Sequence, residues 1–276
     1  MRICFALCLA LQWSVRLTGV MVFGICNMLY ILLDADMLCF VSCSSVEREI
    51  DWGDGLWTLH ADAKEAETQV DDRVEGIVTT ILDKLNYEGE YKIVMCLSDP
   101  KVNFRKRILS TYKANRIGKR KPVCYAEVLQ WIIDNYDTKS IPTLEADDVI
   151  GILATRHKGH EVHCSGDKDF RSIPGVFYNF LKGELYHIDE READKWFYTQ
   201  TLIGDKADNY DGCPGIGEKT AEKIFERSGV SWGTVEKTFI RKGLTKEDAL
   251  QQARVARILR DEDYRSGKLI LWSPSR

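Results

Sequence analysis

An α/β fold, with a mainly parallel sheet flanked by helices, is predicted for this chain. Three observations predict it. Short apolar runs of strand length alternate with segments of helical periodicity. Several of these segments meet an acid at one end, where side chains project from the rim of an open sheet. From about residue 190 the pattern is helical, so a small C-terminal helical region is expected to follow the sheet.

The elements follow in order. Residues 29–33 are a short apolar run and read as a buried strand. Residues 45–60, which include Trp52-Gly-Asp-Gly-Leu-Trp57, read as a loop or hairpin. From 61 to 87 the apolar positions Val70, Val74, Ile77, Val78, Ile81, Leu82 and Leu85 recur at helical spacing. The run 91–97 is the second strand. A helix over 123–133 starts behind Pro122, a common first-turn residue. Another runs from Glu145 towards His157, with its acids in the first turn, where the helix dipole favours them. Residues 161–165 form the third strand. Residues 176–180 and 185–188 form a hairpin around Lys182-Gly183. Residues 190–203 are helical, 212–217 make a tight turn between helices, and 245–261 form a last amphipathic helix.

Composition sets bounds. The chain has 276 residues, 45% hydrophobic and 29% charged, which suits a globular protein of one large or two smaller domains. A net charge of −4 gives no bulk sign of a polyanion partner. The nine cysteines are odd in number, form no Cys-x-x-Cys pair and mostly lie in apolar runs. Free buried thiols in a reducing cytosol are expected, rather than disulfides or zinc.

The first 28 residues stand apart as an apolar extension with only Arg2 and Arg16 charged. A signal peptide would fit the apolar core after Arg2. A membrane span is marginal, since a clean run should reach about 20 residues. Yet the run flows without a polar linker into the first strand. The expected explanation is translation from Met21 or Met28 with a mis-called start, which N-terminal sequencing of native protein would decide.

Five acidic clusters carry the chemistry: Asp34, Asp99, Glu145-Ala-Asp147-Asp148, Asp167-Lys-Asp169 and Asp205-Lys-Ala-Asp208. Singly, each could cap a helix. As a set, they are carboxylates that repel one another unless cations neutralise them. Oxygen-only ligands suit Mg²⁺ or Mn²⁺. Two such ions roughly 3.5–4 Å apart promote in-line phosphoryl displacement. A rival reading takes Asp34-Ala-Asp36 as the nucleophile motif of a haloacid-dehalogenase-type phosphatase. It leaves Glu145–Asp148 and Asp205–Asp208 unexplained, and Leu38 stands where that motif usually has Thr or Val.

Between Lys101 and Ala126 there is no acid. Nine bases lie there: Lys101, Arg105, Lys106, Arg107, Lys113, Arg116, Lys119, Arg120 and Lys121, interleaved with Phe104, Tyr112 and Tyr125. A one-signed run with aromatics fits a nucleic-acid contact, bases on phosphates and rings on nucleobases. The segment Asn209-Tyr-Asp-Gly212-Cys-Pro214-Gly215-Ile216-Gly217-Glu-Lys219-Thr220 has the form of a helix–hairpin–helix, whose glycines let a backbone phosphate approach the next helix start. A non-catalytic structure-specific DNA-binding module is the third reading.

Together these residues resemble the flap-endonuclease-type 5′→3′ nucleases. The order matches: strand-Asp34, strand-Asp99, basic arch, Glu145-Ala-Asp-Asp148, Gly-Asp167-Lys-Asp169, Gly204-Asp205-x-x-Asp208-Asn209, then Pro-Gly-Ile-Gly. Tyr112-Lys113-Ala-Asn115-Arg116, Lys121-Pro122-Val123 and Ala256-Arg257-Ile258-Leu259-Arg260 are similar to the branch found in T-odd podovirus phages. The resemblance implies a SAF/PIN-like catalytic domain over 29–189 with a helical arch at 101–121, and a helix–hairpin–helix region over 190–276. It implies metal binding by Asp34, Asp99, Glu145, Asp147, Asp148, Asp167 and Asp169 at one ion, and by Asp205 and Asp208 at a second. Lys113 and Arg116 would serve the scissile phosphate. Arg105, Tyr112, Lys119, Arg120, Lys121, Gly215, Gly217 and Lys219 would contact DNA, with Phe104 and Arg105 bracing the arch. The role of Asp36 is left open.

The implied function is metal-dependent 5′→3′ exonuclease or flap-type hydrolysis of duplex or nicked DNA, and of RNA in RNA–DNA hybrids, for phage replication and host DNA degradation. The implied cofactors are two Mg²⁺ or Mn²⁺ ions, with K⁺ at the helix–hairpin–helix as a further option. A monomer in the host bacterial cytoplasm, with no membrane and no nucleotide cofactor, is expected.

Overall fold

The computed structural model describes residues 28–274. The start-site expectation therefore lies outside the described residues, apart from Met28.

A six-stranded sheet forms the centre. Its strands are β1 (Leu29–Asp34), β4 (Tyr91–Leu97), β5 (Thr138–Ser140), β6 (Glu161–Ser165), β7 (Gly175–Asn179) and β8 (Glu184–Ile188), in the order β5-β4-β1-β6-β7-β8. Neighbours pair in parallel, except that β8 runs antiparallel to β7 at one edge. β1 lies inside, with only Tyr30 partly exposed, because both its faces are covered. That explains its unbroken apolar sequence. Strand order reverses between β1 and β6, so a crevice opens at their carboxyl ends.

Side chains alternate across the sheet. Ile31 and Leu33 face one way, onto α1 (Ala35–Val46), α2 (Ala63–Leu85) and α4 (Tyr125–Asn135). Leu32 faces the other way, onto α5 (Ala146–Arg156) and the rings of Phe170 and Phe177. A separate core of Leu202, Phe225, Val235, Phe239 and Ala249 joins α6 (Glu190–Ile203), α7 (Glu218–Ser228), α8 (Trp232–Arg241) and α9 (Lys246–Ala256). A short ribbon, β9 (Tyr264–Arg265) and β10 (Lys268–Leu269), leads to Trp272, which lies against Phe197, Tyr198 and Trp232.

Four local differences from the sequence reading have physical causes. Helix α1 has no sequence-level counterpart. Its buried face (Ala35, Leu38, Cys39, Ser42, Cys43, Val46) is regularly spaced, but Met37, Phe40 and Val41 on the other side blur the contrast. Residues 45–60 end helix α1 and then form the hairpin β2 (Arg48–Gly53) and β3 (Leu56–His60), outside the main sheet. Helix α9 stops at Ala256 rather than 261, since Arg257 turns to extended backbone and carries residues 257–260 into the core. In the 101–121 segment helix comes in short pieces, α3 (Arg105–Ile108) and a tight 3₁₀ turn at Ala114–Arg116, separated by Lys113 in the left-handed region at φ 54°.

The six described cysteines are free and buried, as the apolar context predicts. Among the described residues no helix is long and apolar enough to cross a membrane.

Candidate active site

The carboxyl ends of β4, β1 and β6 lie side by side, with Asp34 opposite Cys96 and Leu33 opposite Cys164. Asp34 closes β1 and also caps α1, its Oδ1 accepting from Met37 N at 3.1 Å. Its Oδ2 accepts from Ser165 Oγ at 2.7 Å. Ser165 Oγ in turn accepts from Asp167 N at 3.1 Å, so the hydroxyl spaces the two acid-bearing ends. Asp167 Oδ1 accepts from Asp169 N at 2.9 Å and turns the chain sharply after β6. Gly166 sits where a β-carbon would strike Leu181 and Met37.

Helix α5 brings Glu145 and Asp147 to the same rim, its first amide fixed by Ala146 N donating to Ser98 Oγ at 2.9 Å. From the helical region, α6 ends at Gly204 and delivers Asp205 and Asp208. Asp205 pairs antiparallel with Tyr210, and its Oδ1 accepts from Ala207 N at 2.6 Å.

The 101–121 segment lies on this loop. Lys113 N donates to Asp208 O at 2.8 Å, Asn115 Nδ2 to Lys206 O at 2.9 Å, and Asn209 Nδ2 to Thr111 O at 2.7 Å. Lys113 Nζ binds Glu145 and lies 3.5 Å from Asp208 Oδ2, and Arg116 binds Asp208 Oδ1. Glu145 is therefore gripped from both sides, with Arg105 Nη1 at 3.1 Å and Tyr112 OH at 2.8 Å on its other oxygen.

Charge separates these acids into two kinds. Burial alone would raise Glu145, but Lys113 and Arg105 outweigh it and hold the carboxyl at about 2. Asp34, Asp147, Asp167 and Asp169 form no such ion pairs among the described residues. Burial pushes Asp34 up to about 7, against its bonds from Ser165 and Met37. Burial, then Asp167 and Asp205, push Asp169 up to about 8. Burial and Asp34 push Asp147 well above the carboxylate range, and burial also raises Asp167. Carboxyls crowded this way are short of positive charge.

Among the described residues no group of three His, Cys, Asp or Glu side chains is already arranged to hold an ion. The donor set itself still fits a hard divalent cation. Every donor at the rim is a carboxylate, and Asp34, Asp147, Asp167 and Asp169 have raised pKa values that nearby positive charge would lower.

Several sequence-assigned residues have other roles. Asp148 is fully buried. Both its oxygens bind Arg105, at 2.6 and 2.7 Å, and Oδ1 also takes Leu259 N at 3.1 Å. Arg105, only 3% exposed, has its guanidinium turned inward; it bridges Asp148, Glu145 and the carbonyls of Val255 and Arg257. That position agrees with a brace and corrects a DNA contact. Tyr112 is equally buried and spends its hydroxyl on Glu145 and Asp208, so its ring is not open for stacking on a base. Asp99 spends both oxygens on backbone amides, from Thr143 at 2.7 Å and Lys101 at 2.8 Å, and these bonds hold its carboxyl low. It shapes a turn beside the site.

Lys119 is exposed. Arg120 pairs with Glu47, and the Lys121 ammonium lies 3.8 Å from the centre of the Tyr125 ring. Gly215, Gly217 and Lys219 are exposed at the start of α7, which no side chain caps. Asp36 ties α1 to its neighbours, accepting from Ser98 N at 3.0 Å and facing Tyr125 OH at 3.4 Å. Sequence reasoning missed Ser165 and Gln200, whose Nε2 donates to Asp169. Neither lies in a recognisable motif, so only the fold reveals them. Lys106 and Arg107, members of the nine-base run, are the bases that α3 leaves in solvent.

Residues 58–195 match the family model of the 5′-3′ exonuclease N-terminal resolvase-like domain. The exonuclease of Escherichia phage T7 is 30% identical, over 88% of this chain and 93% of that one. The exodeoxyribonuclease of Enterobacteria phage T3 is 29% identical, over 88% and 92%. The T5 5′-exonuclease, solved with divalent zinc ions bound, shares the fold at TM-score 0.55 and 17% identity, over 83% of this chain and 93% of that one. A T5 flap endonuclease solved in a pseudo-enzyme-product complex with DNA and metal ions gives TM-score 0.53 at 16% identity, over 80% and 87%. The phosphatase reading of Asp34-Ala-Asp36 and the non-catalytic reading both fall against these matches. By the family model over residues 58–195 and the 30% identity with the phage T7 exonuclease, the chain belongs to the 5′→3′ exonuclease family of enzymes.

Proposed function

We propose that this enzyme hydrolyses phosphodiester bonds from the 5′ ends of duplex or nicked DNA, and of RNA in RNA–DNA hybrids, using two Mg²⁺ or Mn²⁺ ions. The observation that carries the reading is the crowd of raised carboxyls (Asp34, Asp147, Asp167, Asp169) at one sheet rim, beside an acid-free basic segment. Asp34, Glu145, Asp147, Asp167 and Asp169 would hold one ion, and Asp205 and Asp208 the second. When bound, such ions stabilise the charge that develops on attacking and leaving oxygens.

The chain's own residues do the rest. Lys113 and Arg116 sit against Glu145 and Asp208 and stand ready to exchange those partners for a substrate phosphate. Lys106, Arg107 and Lys119 offer exposed charge to the strand leading in. Gly215, Gly217 and Lys219 at the uncapped start of α7 receive a duplex backbone without reading sequence, with K⁺ as a candidate ion at that turn. Residues 29–189 form the catalytic unit and the helices from 190 onward the duplex grip. The protein acts as a monomer in the host cytoplasm, in phage replication and host DNA breakdown.

The test is a 5′-labelled nicked duplex incubated with Mg²⁺, with EDTA, and with Asp167→Ala. Release of 5′-terminal nucleotides in the first case alone is expected. Equal release under EDTA would overturn the metal-dependent reading.

A further inference from the structure

Helix α6 reaches the acidic rim with an uncharged side chain as well as with Asp205. Gln200 stands in its last turn, 2% exposed, and its Nε2 donates to Asp169 Oδ1. The charges around Asp169 are Asp167, Asp205, Asp208 and Lys168. A base in place of Gln200 would pair with the carboxylate and compete with any cation, as Lys113 and Arg105 pair with Glu145. A neutral amide fixes the carboxylate and leaves its charge free.

The second observation is a cost. The Oε1 of Gln200 is buried with no partner among the described residues. An apolar side chain of the same shape would avoid that loss, since buried polar groups are ordinarily paired. The same helix holds the 168–172 turn at a second point, where the Arg171 guanidinium lies 4.5 Å from the centre of the Trp196 ring. The turn bearing Asp169 is thus clamped to α6 at both ends.

We propose that Gln200 is a positioning residue that holds the Asp169 carboxylate in place to receive a divalent cation. The inference rests on the metal-site reading above. Hydrogen-bonded partners of metal ligands typically change metal affinity about 10–100-fold when removed.

The experiment compares wild type, Q200L, D169N and the double variant. Mn²⁺ binding is measured by calorimetry without nucleic acid, and the thermal midpoint in EDTA. Q200L is expected to weaken Mn²⁺ binding about 10-fold or more, with an unchanged or higher midpoint because the orphan oxygen is gone. In the D169N background Q200L is expected to add nothing. Should Leu lower the midpoint, Q200M repeats the measurement with an unbranched side chain. Wild-type affinity in Q200L, or a loss that persists in D169N, overturns the inference. A wild-type protein that binds no Mn²⁺ overturns the metal-site reading itself, which is a distinct result.

Discussion

Arg105 and Asp148 illustrate how much of this site is framework. Their double contact is sealed from water, and it also orients Glu145 and the carbonyls at 255 and 257. Removing one partner leaves the other charge buried and uncompensated. Arg105→Ala is expected to cost about 3–5 kcal/mol of stability, read as a lower midpoint in chemical denaturation, where a surface contact to DNA would leave the midpoint alone. The raised acids give a second expectation. Burial first, and neighbouring acids, push Asp34 up to about 7 and Asp169 up to about 8 in the folded chain, against an ordinary value of 3.8. Between those limits the folded state binds more protons than the unfolded one. Their contribution to stability is therefore full below about pH 4 and lost as pH rises through 7 to 8. Metal-free protein should show a thermal midpoint that falls over this range, and added Mg²⁺ should reverse the fall. A midpoint that rises with pH in EDTA would contradict the burial of these carboxyls.

At the scale of elements, the junction from α6 to α7 depends on two glycines that meet back to back. Gly204 and Gly212 both have positive φ, and a β-carbon on Gly212 would lie 2.3 Å from Gly204 N. Gly212→Ala is expected to destabilise by more than about 1 kcal/mol and to weaken duplex binding more than it weakens cleavage of a short single strand. Denaturation and binding measurements on one preparation would check both. Legibility in the sequence divides along similar lines. The strands 91–97 and 161–165 and the helix 190–203 could be read to the residue, because each is a short run of strand length or a clear helical stripe. Helix α1 could not, since its outer face is apolar too. The acids were legible as a group. Which of them line the sheet rim and which face Arg105 was not, because Asp147 and Asp148 are adjacent in sequence and only the helical turn sends one to the rim and the other inward. The same holds for Arg105 against Arg107.

The whole molecule is closed by its last described residues. Trp272 packs edge-on against Phe197, Tyr198 and Trp232, with ring centres at 5.1, 6.4 and 5.0 Å, and its carbonyl accepts from Arg254 Nε at 3.1 Å. The ring of Trp272 thus joins α6 and α8, and its backbone carbonyl ties in α9. Trp272→Ala is expected to cost on the order of 2 kcal/mol from lost aromatic contacts, and protease cleavage should appear first within the helices after 190. A variant cut first in the hairpin 48–60 would show that Trp272 does not secure this region.

Asp34 has two jobs at one carboxylate, and this bears on how any result at the site is read. Met37 N takes one of its oxygens to start α1, while the other looks into the crevice beside Ser165. Alanine there removes a charge and a helix cap together, and the loss of a cap alone is worth about 1 kcal/mol. Asparagine keeps the cap and removes only the charge. Asp34→Asn should therefore be inactive with a near-native midpoint, and Asp34→Ala inactive with a lowered one. The difference between the two separates what this residue does for folding from what it does for chemistry.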